Sequence, residues 1–323
     1  MSRSGPIELL TIGRVSVDLY AEQTSTPLRA VRTFRKSVGG TATNVAVAAA
    51  RLGRHAALCT RVGRDQFGDY VRWALAETFG VDTRYVVDDP DLKTPLAFAI
   101  LDPPDDPTII FYREPRAPDM NITMDDLDAS IVTDVPILWI PASNVAFEPS
   151  RSTMAELLRL RARRRQTILD LDWRPMFWRS PAEASAHVGP LLDSATIAIG
   201  NRTECEIAVG SSDPEMAADR ILARGLEGAI VKMGDAGVLV ATKQGERVQI
   251  SPIPIEVVCG LGAGDAFGGA LCHGLLAGWD LVRAARFANA AGAIVASRLM
   301  CADDMPTLSE VEALSGQTSP SSS

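Results

Sequence analysis

The chain has 323 residues, 46% of them hydrophobic and 22% charged, with 40 acidic against 32 basic side chains and a formal net charge of −8. That acidic balance argues against a nucleic-acid partner or an anionic membrane surface, both of which call for a basic excess. No apolar run reaches membrane-spanning length and the opening MSRSGP lacks the hydrophobic core of a signal peptide, which points to the cytoplasm.

Residues 1–6 read as a flexible start and residues 7–315 as one α/β unit. A buried strand is expected at 7–12, an alanine-rich helix at 41–52 behind Gly39 and Gly40, a strand at 56–62 and a helix at 67–79. Further strands are expected at 137–141, 167–171, 196–199 and 228–232, with helices between several of them, and a buried helix at 266–277. This alternation predicts a mostly parallel sheet covered on both faces, with ligands at the carboxyl ends of its strands. Residues 14–38 and 94–113 break the alternation with strand-like runs at 32–38, 95–101 and 108–112 and the turn Pro103-Pro104-Asp105-Asp106-Pro107. They are expected to form a small antiparallel flap over the site. The serine-rich end, 316–323, reads as disordered.

Cys59, Cys205, Cys259, Cys272 and Cys301 are odd in number and form no CxxC pair, and the histidines His55, His187 and His273 are widely spaced. Buried reduced thiols are expected rather than a zinc site. Cys259 has no histidine near it in sequence and reads as a packing or backbone residue.

The most informative stretch is Cys259-Gly260-Leu261-Gly262-Ala263-Gly264-Asp265-Ala266-Phe267, which sets three glycines and an aspartate at the start of the buried helix. Free amides and the positive end of the helix dipole attract an anion there, and glycine lets a phosphate approach the backbone. Asp265 is badly placed to bind that anion and well placed to accept the proton of an attacking hydroxyl, so the arrangement suits phosphoryl transfer to an alcohol. A plain glycine-rich helix start is the alternative.

Asp18, in Gly13-Arg14-Val15-Ser16-Val17-Asp18, is expected at the end of the first strand, as a ligand carboxylate or a turn aspartate. Asn44, four residues after Gly40, faces inward on the first helical turn, for binding or for capping. Asn201 and Glu204 stand where a strand gives way to a helix. Such a carboxylate can hold a hydrated magnesium ion through water, or serve only as a helix N-terminal charge. Lys232 ends an apolar run, where it can meet phosphates or simply be solvated.

Gly39, Gly40 and Asn44, the run Val62-Gly63-Arg64-Asp65-Gln66-Phe67-Gly68, Asn201 to Glu204, and Gly262-Ala263-Gly264-Asp265 follow one another in an order that resembles the ribokinase-like PfkB carbohydrate kinases over nearly the whole chain. The resemblance implies a ribokinase-like α/β fold, its mostly parallel central sheet flanked by helices and accompanied by a small β-sheet lid. It implies ATP and Mg2+ as cofactors, Gly262, Ala263 and Gly264 as the anion hole, and Asp265 as the base. Asp18, Gly39, Gly40 and Asn44 would hold sugar hydroxyls, with Asn201 and Glu204 supporting magnesium. The nucleotide would lie on Lys232, Gly234, Gly237, Gly262 and Gly264, its purine against Asn289 and Ala293 of the two C-terminal helices. Lid edges that pair in relatives imply a homodimer.

One departure stands out. Many members of that family have an aspartate and two threonines where this chain has Cys259-Gly260-Leu261. In relatives the region helps bind a monovalent cation, partly through main-chain oxygens, so loss of the carboxylate puts potassium (K+) dependence in question.

Asp170-Leu171-Asp172-Trp173-Arg174-Pro175-Met176-Phe177-Trp178, Phe111-Tyr112-Arg113 and Cys301-Ala302-Asp303-Asp304-Met305-Pro306-Thr307 look like the bacterial members that phosphorylate 5-dehydro-2-deoxygluconate in myo-inositol catabolism. The first two segments are also similar to 2-keto-3-deoxygluconate kinases. Both substrates are sugar acids, and arginine holds a carboxylate best through its planar fork. Arg113 on the flap and Arg174 at a strand end are the candidates, with surface ion pairs as the alternative. The reaction implied is transfer of the γ-phosphoryl group of Mg-ATP to the C6 hydroxyl of 5-dehydro-2-deoxy-D-gluconate.

Other classes fit less well. A nicotinamide dehydrogenase needs GxGxxG after the first strand, where this chain has Gly13-Arg14-Val15-Ser16. A P-loop enzyme needs GxxxxGK[ST], which is absent. A non-catalytic sugar-binding regulator shares the fold, but it has no need of an intact Asp265 and glycine loop.

Overall fold

The computed structural model describes residues 5–103 and 107–317. Most of the expected turn at 103–107, the first four residues and the serine-rich 318–323 lie outside the described residues. The strands are β1 (Leu9–Ile12), β2 (Ser16–Ala21), β3 (Phe34–Gly39), β4 (Ala56–Gly63), β5 (Val86–Asp89), β6 (Leu96–Ile100), β7 (Thr108–Tyr112), β8 (Ile137–Pro141), β9 (Gln166–Asp170), β10 (Ile197–Asn201), β11 (Gly228–Lys232), β12 (Val238–Thr242) and β13 (Arg247–Ile250). Nine of them form one sheet in the order β13-β12-β11-β10-β9-β8-β1-β4-β5. Pairing is parallel from β11 to β5 and antiparallel only at the β12 and β13 edge.

Both faces of this sheet are covered, and the strand pleat decides which side chain goes where. Leu9, Ile137 and Trp139 enter the core under α1 (Thr41–Arg51) and, near the C-terminus, α8 (Ala263–Leu276) and α9 (Leu281–Ala296). Leu10, Ile12, Leu138 and Ile140 enter the opposite core. The helices between are α2 (Gln66–Trp73), α3 (Ala129–Asp134), α4 (Ser150–Arg161), α5 (Pro181–Val188), α6 (Arg202–Val209) and α7 (Pro214–Ala223), and α10 (Leu308–Ser315) closes the chain. Burial on both faces is why the central strands read as unbroken apolar runs, each such side chain contributing about 1.5–3 kcal/mol.

Every residue of α1 except Arg51 is buried, and its alanines let α8 approach closely. A Cβ on Gly269 would lie 2.4 Å from that of Ala48, and one on Gly268 would lie 2.6 Å from the Trp139 ring. This intimate packing brings the first turn of α1 against the first turn of α8. The helix expected at 67–79 is α-helical only to Trp73, behind its Asp65 cap, and ends in a π turn over Ala74–Thr78.

The flap is a separate sheet in the order β3-β2-β6-β7. It corrects the expectation of an antiparallel flap: β2–β3 and β6–β7 are antiparallel, but β2 and β6 run parallel. The reason is topological, since β6 returns only after the excursion through α1, β4, α2 and β5 and enters the lid in the same direction as β2. Among the described residues no helix is long and apolar enough to cross a membrane.

Candidate active site

The glycine loop is the N-terminus of α8. Gly262 caps the helix at φ +79°, and a Cβ there would lie 2.6 Å from the Cys301 sulfur, so glycine alone fits without strain. The first helical bond runs from the Ala266 amide to the Gly262 carbonyl at 2.8 Å. The amides of Ala263, Gly264 and Asp265 are therefore left for an anion. A Cβ on Gly264 would stand 3.2 Å from Lys232 Nζ, which puts the lysine ammonium beside those amides. Burial pulls the ammonium down, but Glu204, Asp170, Asp265 and Asp172 outweigh it and hold the lysine above its ordinary value.

Asp265 points from this helix start toward α1, where Asn44 Nδ2 donates to its Oδ2 at 2.8 Å. Burial raises the carboxyl to about 6 and the Asp172 charge adds to this, while the Asn44 hydrogen bond and the Arg174 and Lys232 charges pull it down. It is ionised at neutral pH yet basic enough to accept a proton. Asn44 Oδ1 is buried with no hydrogen-bond partner among the described residues, an acceptor left over for a ligand hydroxyl.

Gly262 and Asp265 face a cavity under the lid, with Arg14, Asp18, Gly40, Asn44 and Arg174 on its wall. Asp18 does not end the first strand as expected: it lies inside β2, a lid strand, because Gly13 turns the chain out of the main sheet. Its carboxylate accepts from Ser16 Oγ at 2.6 Å and Tyr20 Oη at 3.2 Å, and burial holds it above the ordinary carboxylate range. A Cβ on Gly39 would lie 2.0 Å from that carboxylate, so the glycine at this position makes room for Asp18.

Ala263 and Gly264 face the other way, into an open groove shared with Lys232, Gly234, Gly237, Asn289 and Ala293. Asn289 Nδ2 donates to the Ser251 carbonyl at 3.0 Å. Asn201 pairs in register with Lys232 across β10 and β11. Asn201 and Glu204 form a capping box at the start of α6: Glu204 N donates to Asn201 Oδ1 at 2.9 Å and Asn201 N to Glu204 Oε2 at 2.6 Å. Glu204 is thereby fixed near Lys232 and Asp170, and its Oε1 has no hydrogen-bond partner among the described residues. Asp170, at the end of β9, is pushed well up by burial and by Asp172, Glu204 and Asp265, with Lys232 opposing. Among the described residues no cluster of three or more metal-ligating side chains occurs.

The two arginines singled out in the sequence fare differently. Arg174 faces the lid-covered cavity and donates Nε to Asp172 Oδ1 at 2.8 Å. Arg113 is not on that cavity's wall: it pairs with buried Asp119, lies 5.4 Å from the centre of the Phe177 ring and lines an adjoining pocket. Arg14 and Asp172, on which sequence reasoning placed no role, form a buried ion pair at 2.8 Å at the cavity wall. All five cysteines are buried and unpaired.

The Asp265 carboxylate thus stands at a helix N-terminus between a cavity under the lid and an open groove. The model of the pfkB family carbohydrate kinases matches residues 7–308. Similar curated proteins include the 5-dehydro-2-deoxygluconokinase of Shouchella clausii, 33% identical with 95% of each chain covered. That of Photobacterium profundum is 32% identical, over 95% of this chain and 94% of the relative. Among solved structures, a putative ribokinase II from E. coli in complex with ATP and Mg2+ is 25% identical, with a TM-score of 0.86 over 95% of this chain and 98% of its own. A Vibrio cholerae O395 fructokinase double mutant in its fructose-, ADP- and potassium-bound form is 25% identical, with a TM-score of 0.85 over 97% and 99%. The chain belongs to the pfkB family of carbohydrate kinases.

Proposed function

We propose that this kinase transfers the γ-phosphoryl group of ATP to the C6 hydroxyl of 5-dehydro-2-deoxy-D-gluconate. One observation carries the proposal: Gly262 and Asp265 face the lid-covered cavity while Ala263 and Gly264 face the groove. A hydroxyl in the first and a phosphoryl in the second meet across the N-terminus of α8. The names of the curated relatives support the acceptor, and the ATP, ADP and Mg2+ in the titles of the neighbours support a nucleotide in the groove.

In this mechanism Asp265 takes the hydroxyl proton late in a loose transition state. Asn44 holds that base through Nδ2 and offers Oδ1 to a sugar hydroxyl. The Ala263 and Gly264 amides, the helix dipole and Lys232 take up charge on the moving phosphoryl. Glu204 Oε1 would hold a magnesium ion through water, since Mg2+ keeps several waters and uses few protein ligands. Bound with the nucleotide, magnesium neutralises phosphate charge. Arg174 meets the acceptor's carboxylate, and Asp18 its hydroxyls. Closing the lid keeps water, a competing acceptor, away.

Potassium fits less well. The amides of Val258 and Cys259 both donate to the Ala296 carbonyl, at 2.9 and 3.2 Å, and position 259 carries no charge. The enzyme is proposed to work in the cytoplasm without potassium, as a homodimer paired through the lid edges.

The test is a coupled ADP-release assay over 5-dehydro-2-deoxygluconate, 2-keto-3-deoxygluconate, fructose, ribose and adenosine, with Asp265→Asn in parallel. The first acceptor should be preferred, and Asp265→Asn should lower kcat about 10²- to 10⁴-fold with ATP binding retained. Selective turnover of ribose or adenosine would refute the sugar-acid acceptor, and full activity in Asp265→Asn would refute the base. Sugar binding with no acceptor-dependent ADP would favour a regulator instead.

A further inference from the structure

Asp172 touches none of the groups given a part in the phosphoryl chemistry above and acts on Asp265 and Lys232 only through its charge, yet it ties together two cationic side chains at the acceptor cavity. It lies two residues beyond β9 and is 2% exposed. Its Oδ2 accepts from Arg14 Nη2 at 2.8 Å, from Thr41 Oγ1 at 3.2 Å and from Ser143 Oγ, and its Oδ1 accepts from Arg174 Nε at 2.8 Å. Arg14 is held further by Nε donation to Ser143 Oγ at 2.9 Å and by the Phe177 ring, 5.6 Å away. Arg14 Nη1 and both Nη groups of Arg174 remain without a hydrogen-bond partner among the described residues, and both arginines line the cavity that Asp265 faces.

We propose that Asp172 is a positioning residue that grips one edge of Arg14 and one edge of Arg174, aiming their free N–H groups together at the acceptor's carboxylate and so selecting sugar acids over neutral sugars. The inference rests on the sugar-acid reading of the acceptor. A guanidinium already fixed along one edge loses less freedom on binding than one on a loose stem, and its fork geometry matches a carboxylate. Charge points the same way. Arg113 is already paired with Asp119, whereas Asp172 shares one carboxylate between two guanidiniums and so leaves neither fully neutralised.

Two physical readings of Asp172 give opposite signs for Asp172→Asn. If the aim of the arginines matters, the asparagine NH2 replaces one accepting oxygen, faces an arginine N–H and releases it, so binding of the acid weakens. If only the field matters, removing a negative charge strengthens it.

The experiment is steady-state kinetics of the wild type, Asp172→Asn and Ser143→Ala with 5-dehydro-2-deoxygluconate and with fructose, alongside the KM for ATP and thermal unfolding. An acceptor that is not turned over is measured by its inhibition constant. Asp172→Asn should raise KM for the acid about 10- to 100-fold, the range of one charge-assisted hydrogen bond, with kcat and the KM for ATP nearly unchanged. The preference for acid over fructose should fall by the same factor. Ser143→Ala, which keeps the carboxylate and loosens its grip, should move KM the same way by less, and it decides the matter if Asp172→Asn does not fold. An unchanged or lowered KM for the acid, or equal losses on acid and fructose, would overturn the role of Asp172 alone. A wild type that prefers fructose would overturn the sugar-acid reading itself.

Discussion

Replacing Asn44 with alanine removes the Nδ2–H that donates to Asp265 Oδ2 at 2.8 Å and leaves the base in its buried setting. Burial already lifts this carboxyl to about 6, and the Asn44 hydrogen bond is the first of the influences that pull it down. A hydrogen bond to a charged group contributes about 1.5–3 kcal/mol and one pKa unit is about 1.4 kcal/mol, so its loss raises Asp265 by roughly one to two units. A general base works ionised, so in the proposed mechanism activity is present above the Asp265 pKa and lost as pH falls through it. At pH 7 the wild type is about 90% ionised, and the variant falls to roughly 10–50%. The assay is kcat for ADP release at saturating ATP and acceptor, followed from about pH 5 to pH 9. The acid limb should move from near 6 to higher pH, with activity recovering toward pH 9. A limb that stays in place or moves down would refute the link between Asn44 and the base, and a wild type with no limb in this range would refute Asp265 as the titrating group.

Three other outcomes follow from the packing. Gly39→Ala sets a Cβ 2.0 Å from the Asp18 carboxylate, and the displaced side chain should cost about 10²-fold in kcat/KM for the acceptor while the KM for ATP holds, read by steady-state kinetics. Gly269→Ala forces α8 away from Ala48 on α1, an overpacking cost of about 1–3 kcal/mol that exceeds the helix-propensity gain of roughly 1 kcal/mol. Calorimetry should show a lower Tm, and kcat should fall as Asn44 and Asp265 separate. Exchanging potassium for tetramethylammonium in the buffer should leave turnover unchanged, since Cys259 supplies no charge and the neighbouring amides close on the Ala296 carbonyl; a steep loss of rate would show that main-chain oxygens suffice to hold the ion.

Much of the fold is legible because its signals are local. β8 and β11 are short apolar runs that a doubly covered sheet requires, and the expected bounds at 137–141 and 228–232 coincide with them. The β12–β13 hairpin was not expected, because β13 is a half-exposed edge strand, Arg-Val-Gln-Ile, without a long apolar run. Asp18 was expected at a strand end because it follows the apolar run at 7–12. Only the lid sheet, whose β6 partner arrives some 75 residues later in the chain, shows that β2 continues past it. Asn201 and Glu204 were readable from their three-residue spacing, and the structure realises their capping box. The same spacing serves a cap and a magnesium-supporting carboxylate alike, so it could not separate them.

The sequence by itself set the adjacency of the loop: Gly262, Ala263, Gly264 and Asp265 follow one another at a helix start, where helix polarity favours an anion wherever the helix is placed. Tertiary structure alone decided what surrounds it. Asn44 and Asp265 are 221 residues apart, and they meet because small residues let α1 and α8 close on each other. Arg14 and Asp172 are 158 apart, while Arg113, only six residues from Asp119, turns to that carboxylate instead of the cavity. Long polar side chains reach whichever partner the packed backbone brings near, and no local periodicity records that choice.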